Sequence, residues 1–294
     1  MSSDEESKRT KDIATIGKTA ISEREKPQLE DSKSRLLKIP SDMNPKEKIA
    51  IYLSKTKKPL PGNPIVLFGH GDGETIDTYV SSGVTDYSNF FTPYGMNFCI
   101  IDYRGSGYSD GNLKTSGVTE TEDLITVINY LKKRGYKKIS YFGRSLGAYC
   151  GIHLASRFPE LVCIALDSPF ISIKDFVTYK VNRFDQIDTE KAIELYPEAC
   201  KVAKEKYGID YMNFKEAIEV ADQISQPIFV IHGNRDILVP MSNSLQLMEK
   251  VKSEEKKFLP FDAGHNDVQR LKYFLEQFIF ILRENGSEIT EFKL

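Results

Sequence analysis

The segment KISYFGRSLGAYCGIHLASR, residues 138–157, decides the fold of this chain. Residues 138–142 are rich in aromatic and β-branched side chains and predict a short buried strand. Residues 146–157 carry apolar side chains at helical spacing and predict a helix. Between them, residues 143–147 read GRSLG and match G-x-S-x-G, a motif that holds a serine on a tight, strained turn from strand to helix. The segment therefore predicts a strand-turn-helix unit with Ser145 at the end of its strand.

Short apolar runs alternate with longer helical stretches on both sides of this unit. Each run is bounded by Gly, Pro or Asp, which is typical of strands, and the runs are 35–39, 48–54, 65–68, 97–102, 163–167, 227–232 and 256–261. The first two are joined by a turn at 40–46 and predict a strand pair. Strands that alternate with helices form a largely parallel sheet with helices on both faces. The predicted fold class is α/β, with ligands bound beyond the carboxyl ends of the strands.

The composition is that of a globular protein with balanced charge. Forty basic and 42 acidic side chains give a formal net charge of −2, and 40% of the residues are apolar. This balance argues against binding of nucleic acid by counterion release. The longest strongly apolar runs, 65–68 and 278–282, are far shorter than the ~18 residues of a membrane span, so no transmembrane segment is expected.

The N-terminal region differs from the rest of the chain. Residues 1–34 hold 15 charged side chains and no aromatic one, so we expect a disordered charged tail whose protein partner is unknown. This region shows neither the apolar stretch of a secretory signal nor the Arg-rich pattern of a transit peptide. The four cysteines lie far apart without a CxxC pair, which favours a reducing, cytoplasmic location and no metal site: Cys99, Cys150, Cys163 and Cys200.

One long segment interrupts the alternation of strands and helices. No convincing strand lies between Asp167 and Pro227, whereas 190–206 and 214–221 have helical patterns. A stretch of this length is too long for one crossover connection. We therefore predict that residues 170–226 form a helical cap or lid inserted into a single domain that spans 35–294.

Three predicted strand ends carry residues that suit nucleophilic catalysis. Ser145 follows the strand at 138–142, Asp236 follows 227–232, and His265 follows 256–261. A serine hydroxyl is a poor nucleophile until a base takes its proton, and an imidazole with a pKa near 6.5 can do so near neutral pH. A carboxylate then fixes the imidazole tautomer and stabilises the imidazolium. The predicted catalytic residues are Ser145, His265 and Asp236.

The glycine-rich loop after strand 65–68 predicts an oxyanion hole. Residues 69–73 read GHGDG, and such a loop can point main-chain N–H groups inward. We expect the N–H groups of Asp72 and Leu146 to be the two donors, with Gly71 shaping the loop. His70 precedes the serine in the chain, and we expect a structural role for it.

The glycines of the serine motif have a separate role. Gly143 and Gly147 lack a Cβ, so neighbouring main chain can approach the turn closely. Arg144 lies beside the nucleophile and leaves two interpretations open. It pairs with a carboxylate such as Asp102 or Asp167 and so holds the turn, or it binds an anionic substrate.

Two other carboxylates compete with Asp236 for the role of the acid. Asp167 ends the strand at 163–167, and Asp262 precedes His265 by three residues. We expect Asp167 to anchor the loop that leads into the cap. Asp102 follows the strand at 97–102 in a glycine-rich loop and is expected to be structural.

These motifs carry a family resemblance. From about residue 65 to 266, the chain resembles the α/β-hydrolase superfamily and, within it, the serine aminopeptidase-like branch. The stretches that carry the resemblance are FGHGD (68–72), DYRGSGYS (102–109), FGRSLGA (142–148), LDSPF (166–170), HGNRD (232–236) and GHN (264–266). Intracellular depalmitoylating hydrolases are also similar, although this sequence shows no cysteine cluster near its N-terminus for a lipid anchor.

The resemblance implies a serine hydrolase. We expect cleavage of a small or medium carboxylic ester or thioester through an acyl-enzyme on Ser145, without a metal or organic cofactor, under the cap at 170–226. A serine peptidase is the first alternative, in which Asp72, Glu74 and Asp77 could bind the free amine of a short peptide. The second alternative is a non-catalytic binding module that docks through its charged tail.

Overall fold

Eight strands of the described chain form one sheet at the centre of the molecule. The computed structural model describes residues 3–23, 35–80, 86–267 and 271–292. The strands are β1 (Ser22–Glu23), β2 (Leu36–Pro40), β3 (Lys48–Ser54), β4 (Ile65–Gly69), β5 (Asn97–Asp102), β6 (Leu113–Lys114), β7 (Ile139–Arg144), β8 (Ile164–Asp167), β9 (Ile228–Gly233) and β10 (Lys256–Phe261). Of these, β1 and β6 form a separate antiparallel pair, and the others belong to the central sheet.

The central sheet is mostly parallel. Its order is β10-β9-β8-β7-β4-β5-β3-β2. Neighbours from β10 to β5 are parallel, whereas β3 is antiparallel to both β5 and β2. The α/β fold class predicted from the sequence is confirmed, and every predicted strand overlaps an observed one. Because parallel strands end at one edge of a sheet, the loops after β4, β7, β9 and β10 meet there.

Helices cover both faces of the sheet. They are α1 (Ser3–Ala20), α2 (Ile76–Tyr79), α3 (Val118–Lys133), α4 (Leu146–Arg157), α5 (Ile173–Asp185), α6 (Thr189–Tyr207), α7 (Ala217–Val220), α8 (Ser242–Lys250) and α9 (Leu271–Glu284). Buried side chains of α3, α4 and α8 belong to one core cluster, and those of α2 and α9 to another. Alternate residues of β4 divide between the two clusters, since Leu67 belongs to the first and Phe68 to the second. In the described parts of the chain, no helix has the length and apolar character that a membrane crossing requires.

The second cluster depends on aromatic packing around α9. Phe278 is fully buried, and its ring centroid lies 5.0 Å from that of Phe91 and 5.3 Å from those of Tyr87 and Phe142. Such pairs add about 0.5–1.5 kcal/mol each beyond the burial of apolar area. The packing joins α9 to β7 and so supports the strand that leads into Ser145.

The segment between β8 and β9 is helical, as predicted. Residues 170–226 contain α5, α6 and α7 and no strand. Ser172 caps α5 by accepting from Asp175 N–H at 3.1 Å, and Asp188 caps α6 by accepting from Glu190 N–H at 2.9 Å. These caps satisfy donors that a helix start leaves without a partner, each worth about 1 kcal/mol.

The N-terminal region departs from the prediction of a disordered tail. Residues 3–20 form α1, which packs against α5 and α6. Ile16 is fully buried and Ala20 is 5% exposed, so apolar residues one turn apart give the helix a core-facing stripe. Composition averaged over 34 residues concealed this stripe. Residues 1–2 and 24–34 of the predicted tail lie outside the described residues.

Candidate active site

Ser145 occupies the turn between β7 and α4 in a strained conformation. Its φ is +50° and its ψ is −109°, a combination that costs a residue with a Cβ on the order of 1–3 kcal/mol. The surrounding chain holds it there, because Ser145 N–H donates to the Asp167 carbonyl at 2.8 Å and Gly147 N–H donates to the His70 carbonyl at 3.1 Å. The serine is thus fixed at the carboxyl edge of the sheet.

The two glycines of the motif permit a close approach of main chain. A Cβ at Gly143 would lie 2.5 Å from the carbonyl oxygen of Gly147, which is closer than Cβ atoms come to other atoms in folded proteins. A Cβ at Gly147 would overlap the carbonyl group of Gly69. Helix α4 therefore packs directly on the loop after β4 and brings that loop beside Ser145.

The structure brings Ser145, His265 and Asp236 together in one hydrogen-bonded chain. His265 Nε2 lies 3.0 Å from Ser145 Oγ, and His265 Nδ1 lies 2.6 Å from Asp236 Oδ2. All three residues are at least nine-tenths buried. Both distances allow a proton to pass between the serine and the imidazole while the carboxylate orients the ring.

Asp236 is held in its ionised form. Its Oδ1 accepts the N–H groups of Leu238 and Val239, both at 2.9 Å. Burial alone would raise the pKa of Asp236, but hydrogen bonds from His232 and His265 hold that pKa well below its usual range. A carboxylate that stays charged can keep the proton of His265 on Nδ1, which leaves Nε2 free to act as a base.

Sequence reasoning missed His232. This buried residue at the end of β9 places Nδ1 2.7 Å from Ser244 Oγ, while Nε2 lies 2.9 Å from the Val239 carbonyl and 3.5 Å from Asp236 Oδ2. It thus supports the turn that carries Asp236. The signal that could have revealed it is the stretch HGNRD, in which the histidine comes four residues before the aspartate.

The two rival carboxylates contact other groups. Asp167 is fully buried, accepts Ser168 Oγ–H at 3.1 Å and lies 3.4 Å from Arg144 Nε. The Asp262 side chain is 75% exposed and pairs with Arg235 at 2.9 Å. Since His265 Nδ1 contacts Asp236, the geometry supports Asp236 over both as the orienting acid.

Arg144 holds the loops around the serine together. One of the two carboxylates expected as its partner, Asp167, is in place, but Asp102 is not. Arg144 also pairs with Glu74. It donates hydrogen bonds to the His265 carbonyl at 3.0 Å and to Asn266 Oδ1 at 2.8 Å. The guanidinium therefore connects the loop after β4, the end of β8 and the loop that carries His265.

The carboxylates considered for binding a peptide amine all contact protein groups. Glu74 accepts from Gly71 N–H at 2.7 Å and from Tyr79 OH at 2.6 Å, in addition to its pairing with Arg144. Asp72 pairs with Lys114 at 3.1 Å. Asp77 accepts from Tyr108 OH at 3.0 Å.

His70 and Asp102 lie side by side beneath the site. His70 is fully buried, with Nδ1 2.7 Å from the Gly71 carbonyl, and burial lowers its pKa to about 4. Asp102 accepts the N–H groups of Ile76 and Tyr108, both at 2.7 Å, and burial raises its pKa to about 6. Neither side chain is hydrogen-bonded to Ser145, so the geometry supports the structural roles expected for both.

Two cavities meet at Ser145. The larger, of about 110 Å³, extends past His265, Asn266 and Leu238. The smaller, of about 40 Å³, extends past Leu146, Phe170, Lys114, Ser116 and Thr19. Both are bounded by Ser145 together with Asp72, Phe176 and Lys180. Two side chains of α5 thus lie over the serine.

The residues of both predicted oxyanion donors line the smaller cavity. Leu146 is the first residue of α4, where main-chain N–H groups have no partner within the helix and the helix dipole favours negative charge. Asp72 belongs to the loop that Gly147 contacts and lines both cavities. Among the residues that the structure describes, no cluster of three or more His, Cys, Asp or Glu could hold a metal ion.

A mostly parallel sheet with a serine on a strained turn after a central strand defines the α/β-hydrolase superfamily, and the resemblance seen in the sequence is confirmed at this level. Residues 84–269, more than half of the chain, match the Peptidase_S9 family model. The chain therefore belongs to the prolyl oligopeptidase family.

Similar proteins of known sequence include hydrolases. The palmitoyl-protein thioesterase ABHD10 of Bos taurus, a mitochondrial protein, is 29% identical over 208 residues, which cover 65% of each chain. The α/β hydrolase domain-containing protein 17C of Xenopus tropicalis is 25% identical over 72% of this chain and 59% of its own. The chain thus spans somewhat less than two thirds of the length of these relatives.

Solved structures share the fold. The esterase Pf2001 of Pyrococcus furiosus superposes with a TM-score of 0.65 at 20% identity and covers 89% of this chain and 98% of its own. The mouse α/β hydrolase domain-containing protein 10 has a TM-score of 0.60 at 17% identity, with coverage of 85% and 98%. Both likenesses concern the fold.

Proposed function

We propose that the protein is a serine hydrolase that cleaves a carboxylic ester or thioester. One observation carries the proposal: the chain from Ser145 Oγ through His265 to Asp236, with distances of 3.0 and 2.6 Å. Ser145 lies on the strained turn between β7 and α4 and is buried, and in such an environment a serine beside a base becomes nucleophilic.

In the proposed reaction, His265 Nε2 takes the hydroxyl proton of Ser145 as Oγ attacks the carbonyl carbon. The N–H groups of Asp72 and Leu146 hold the oxyanion, and Asp236 stabilises the imidazolium. His265 then gives its proton to the departing alcohol or thiol, which leaves an acyl group on Ser145. Water, activated by the same imidazole, releases the acid and restores the serine.

Two observations support esters and thioesters as substrates. The thioesterase relative acts on palmitoylated protein according to its name, and the esterase from Pyrococcus furiosus shares the fold. Asp72, Glu74 and Asp77 already pair with a cation or donors of the protein, so they do not form a site for the free amine of a peptide. An ester needs no such amine site.

A serine peptidase is the second candidate, and the family name supports it. A prolyl peptidase and an esterase share the same acyl-enzyme chemistry, so the two differ in the leaving group that departs from the substrate. Parallel assays with short-chain aryl esters, acyl thioesters and aminoacyl or prolyl amides separate them. We expect esters or thioesters to be cleaved with the higher kcat/KM.

Labelling with a fluorophosphonate probe tests the proposed nucleophile. We expect the folded protein to be labelled at Ser145, and Ser145→Ala to lose both labelling and hydrolysis while its melting temperature stays within a few degrees. Absence of labelling in a folded sample would favour the non-catalytic binding module and overturn the proposal. Mass spectrometry of the labelled peptide identifies the modified residue.

A cytoplasmic location is part of the proposal. The four cysteines are free and buried, as expected for thiols kept in a reducing compartment: Cys99, Cys150, Cys163 and Cys200. The bovine relative is a mitochondrial protein. Fractionation of cells that express the tagged protein, with cytosolic and mitochondrial markers, distinguishes the two compartments.

A further inference from the structure

The carboxyl end of α1 lies at the smaller cavity beside Ser145. Thr19 lines this cavity together with Leu146 and Phe170. The main chain on either side is held in place, because the Thr19 carbonyl accepts from Ser116 Oγ at 3.4 Å and the Ala20 carbonyl accepts from Tyr211 OH at 3.0 Å. Strand β1 then pairs with β6, and Lys114 of β6 is another residue of the cavity wall.

The rest of α1 is anchored on the cap helices. Ile16 is fully buried, and Asp12, which is 9% exposed, pairs with Lys191 of α6. Arg9 pairs with Glu194, at 3.0 Å, and with Glu198. The two pairs of Arg9 lie at the surface and are screened by water, so the buried stripe that includes Ile16 determines the position of the helix.

The chemistry of the proposed reaction indicates which cavity holds the leaving group and which holds the acyl group. His265 must protonate the leaving group, so the leaving group departs on the side of the larger cavity, which His265 lines. With the oxyanion between Asp72 and Leu146, the acyl chain points the other way, into the cavity of about 40 Å³. This cavity has less than half the volume of the larger one, which is about 110 Å³.

We propose that α1 forms the end wall of the acyl site and restricts the substrate to short acyl groups, with Thr19 as a specificity-determining residue. The inference rests on the proposed function and adds the acyl class to it. The short acyl group proposed here differs from the long palmitoyl group that the name of the thioesterase relative gives as the substrate of that protein. In this chain, a long acyl group would meet Thr19 and the cap.

Full-length variants at Thr19 test the wall directly. Thr19→Leu fills the cavity, and Thr19→Ala enlarges it. Thr10 supplies matched controls, because it is exposed on the same helix and donates to the carbonyl four residues earlier at 3.0 Å, as Thr19 does at 3.1 Å. The measurement is kcat/KM for 4-nitrophenyl acetate, butyrate and octanoate, together with the rate of fluorophosphonate labelling at Ser145.

We expect the unaltered protein to cleave octanoate at least tenfold less efficiently than butyrate. One methylene in a pocket is worth about 10-fold to 200-fold, so Thr19→Leu should lower the butyrate-to-acetate ratio by about fivefold or more. Thr19→Ala should raise the octanoate-to-butyrate ratio about threefold or more. Thr10→Leu and Thr10→Ala should leave both ratios within about twofold of the unaltered protein.

Two results would overturn the inference while the proposed function stands. One is labelled, active protein that prefers octanoate. The other is a pair of Thr19 variants whose ratios match those of the Thr10 variants. A protein that is folded yet neither labelled nor active on any ester would overturn the proposed function and this inference together.

Discussion

Arg144 donates a hydrogen bond to the main-chain carbonyl of His265 across 3.0 Å. The residue next to the serine in sequence therefore holds the loop that carries the imidazole, although 120 positions separate Ser145 from His265. The same guanidinium pairs with Glu74 and Asp167, so it also holds the loop after β4 and the end of β8. The position of His265 relative to Ser145 depends on this side chain.

Replacing Arg144 should therefore impair catalysis more than substrate binding. We expect Arg144→Gln to lower kcat by about 10-fold to 100-fold, because a displacement of the catalytic imidazole by only ~1 Å can lower the rate up to about 100-fold. Arg144→Lys should recover only part of the loss, since an ammonium lacks the planar fork. Steady-state kinetics on a short-chain ester measure both parameters. Arg157→Gln, which breaks an exposed ion pair with Glu122 at 2.6 Å, is the control, and equal kcat values for the two glutamine variants would contradict the positioning role.

Replacing Asp236 or Asp167 by asparagine should show which of the two carboxylates orients His265. Asp236→Asn presents an amide to His265 Nδ1 and favours the wrong tautomer, so we expect kcat to fall on the order of 10⁴-fold. Asp167→Asn acts through Arg144 and Ser168 and leaves the contact of His265 with Asp236 in place, so its loss of kcat should be at least tenfold smaller. Circular dichroism spectra that match the unaltered protein show that both variants are folded. A larger loss in Asp167→Asn would assign the acid to that residue instead.

The close approach at the serine turn should make Gly147 irreplaceable. The Cβ of Gly147→Ala would overlap the Gly69 carbonyl, and we expect the free energy of unfolding to fall by about 2 kcal/mol or more, with loss of labelling at Ser145. Gly17→Ala is the matched control, because among the described residues no atom outside α1 lies within 4 Å of its added Cβ. In a formed helix, that change should raise stability by up to about 1 kcal/mol. Urea unfolding measures both, and a Gly17→Ala variant less stable than the parent would argue against α1.

Acid should destabilise the protein partly through His153. Burial and, to a lesser extent, Arg157 lower the pKa of this imidazole to about 3, whereas in the unfolded chain it titrates near 6.5. Below pH 6.5 the unfolded state binds the extra proton, so the free energy of unfolding falls by about 1.4 kcal/mol per pH unit until about pH 3.

His153→Phe should remove this contribution. The ring lies 5.0 Å from those of Tyr149 and Phe214, which can accommodate a phenyl group. Buried groups such as Asp102, whose pKa is raised to about 6, titrate in both proteins and cancel in the comparison. Urea unfolding at pH 4.5, 5.5 and 6.5 should show a shallower decline for His153→Phe, and parallel curves for the two proteins would contradict the prediction.

The sequence by itself determined the strands of the sheet, helix α4 and the order of Ser145, Asp236 and His265 along the chain. Each of these follows from a short stretch of residues, because hydrophobic periodicity and turn residues act within a few positions of one another. Placement at the carboxyl ends of parallel strands then predicted that the three residues would meet. The geometry supports that prediction, because His265 Nε2 lies 3.0 Å from Ser145 Oγ and His265 Nδ1 lies 2.6 Å from Asp236 Oδ2.

Only the tertiary structure decided which groups contact each other around that core. The contact of His265 with Asp236, the pairing of Arg144 with Glu74 and the packing of α1 beside Ser145 join residues that are far apart in sequence. Local sequence patterns do not predict contacts between residues that are far apart in the chain. The charged composition of residues 1–34 even predicted disorder for a segment in which Ile16 is fully buried. The free energy that places these side chains comes from burial against partners that exist only once the chain has folded.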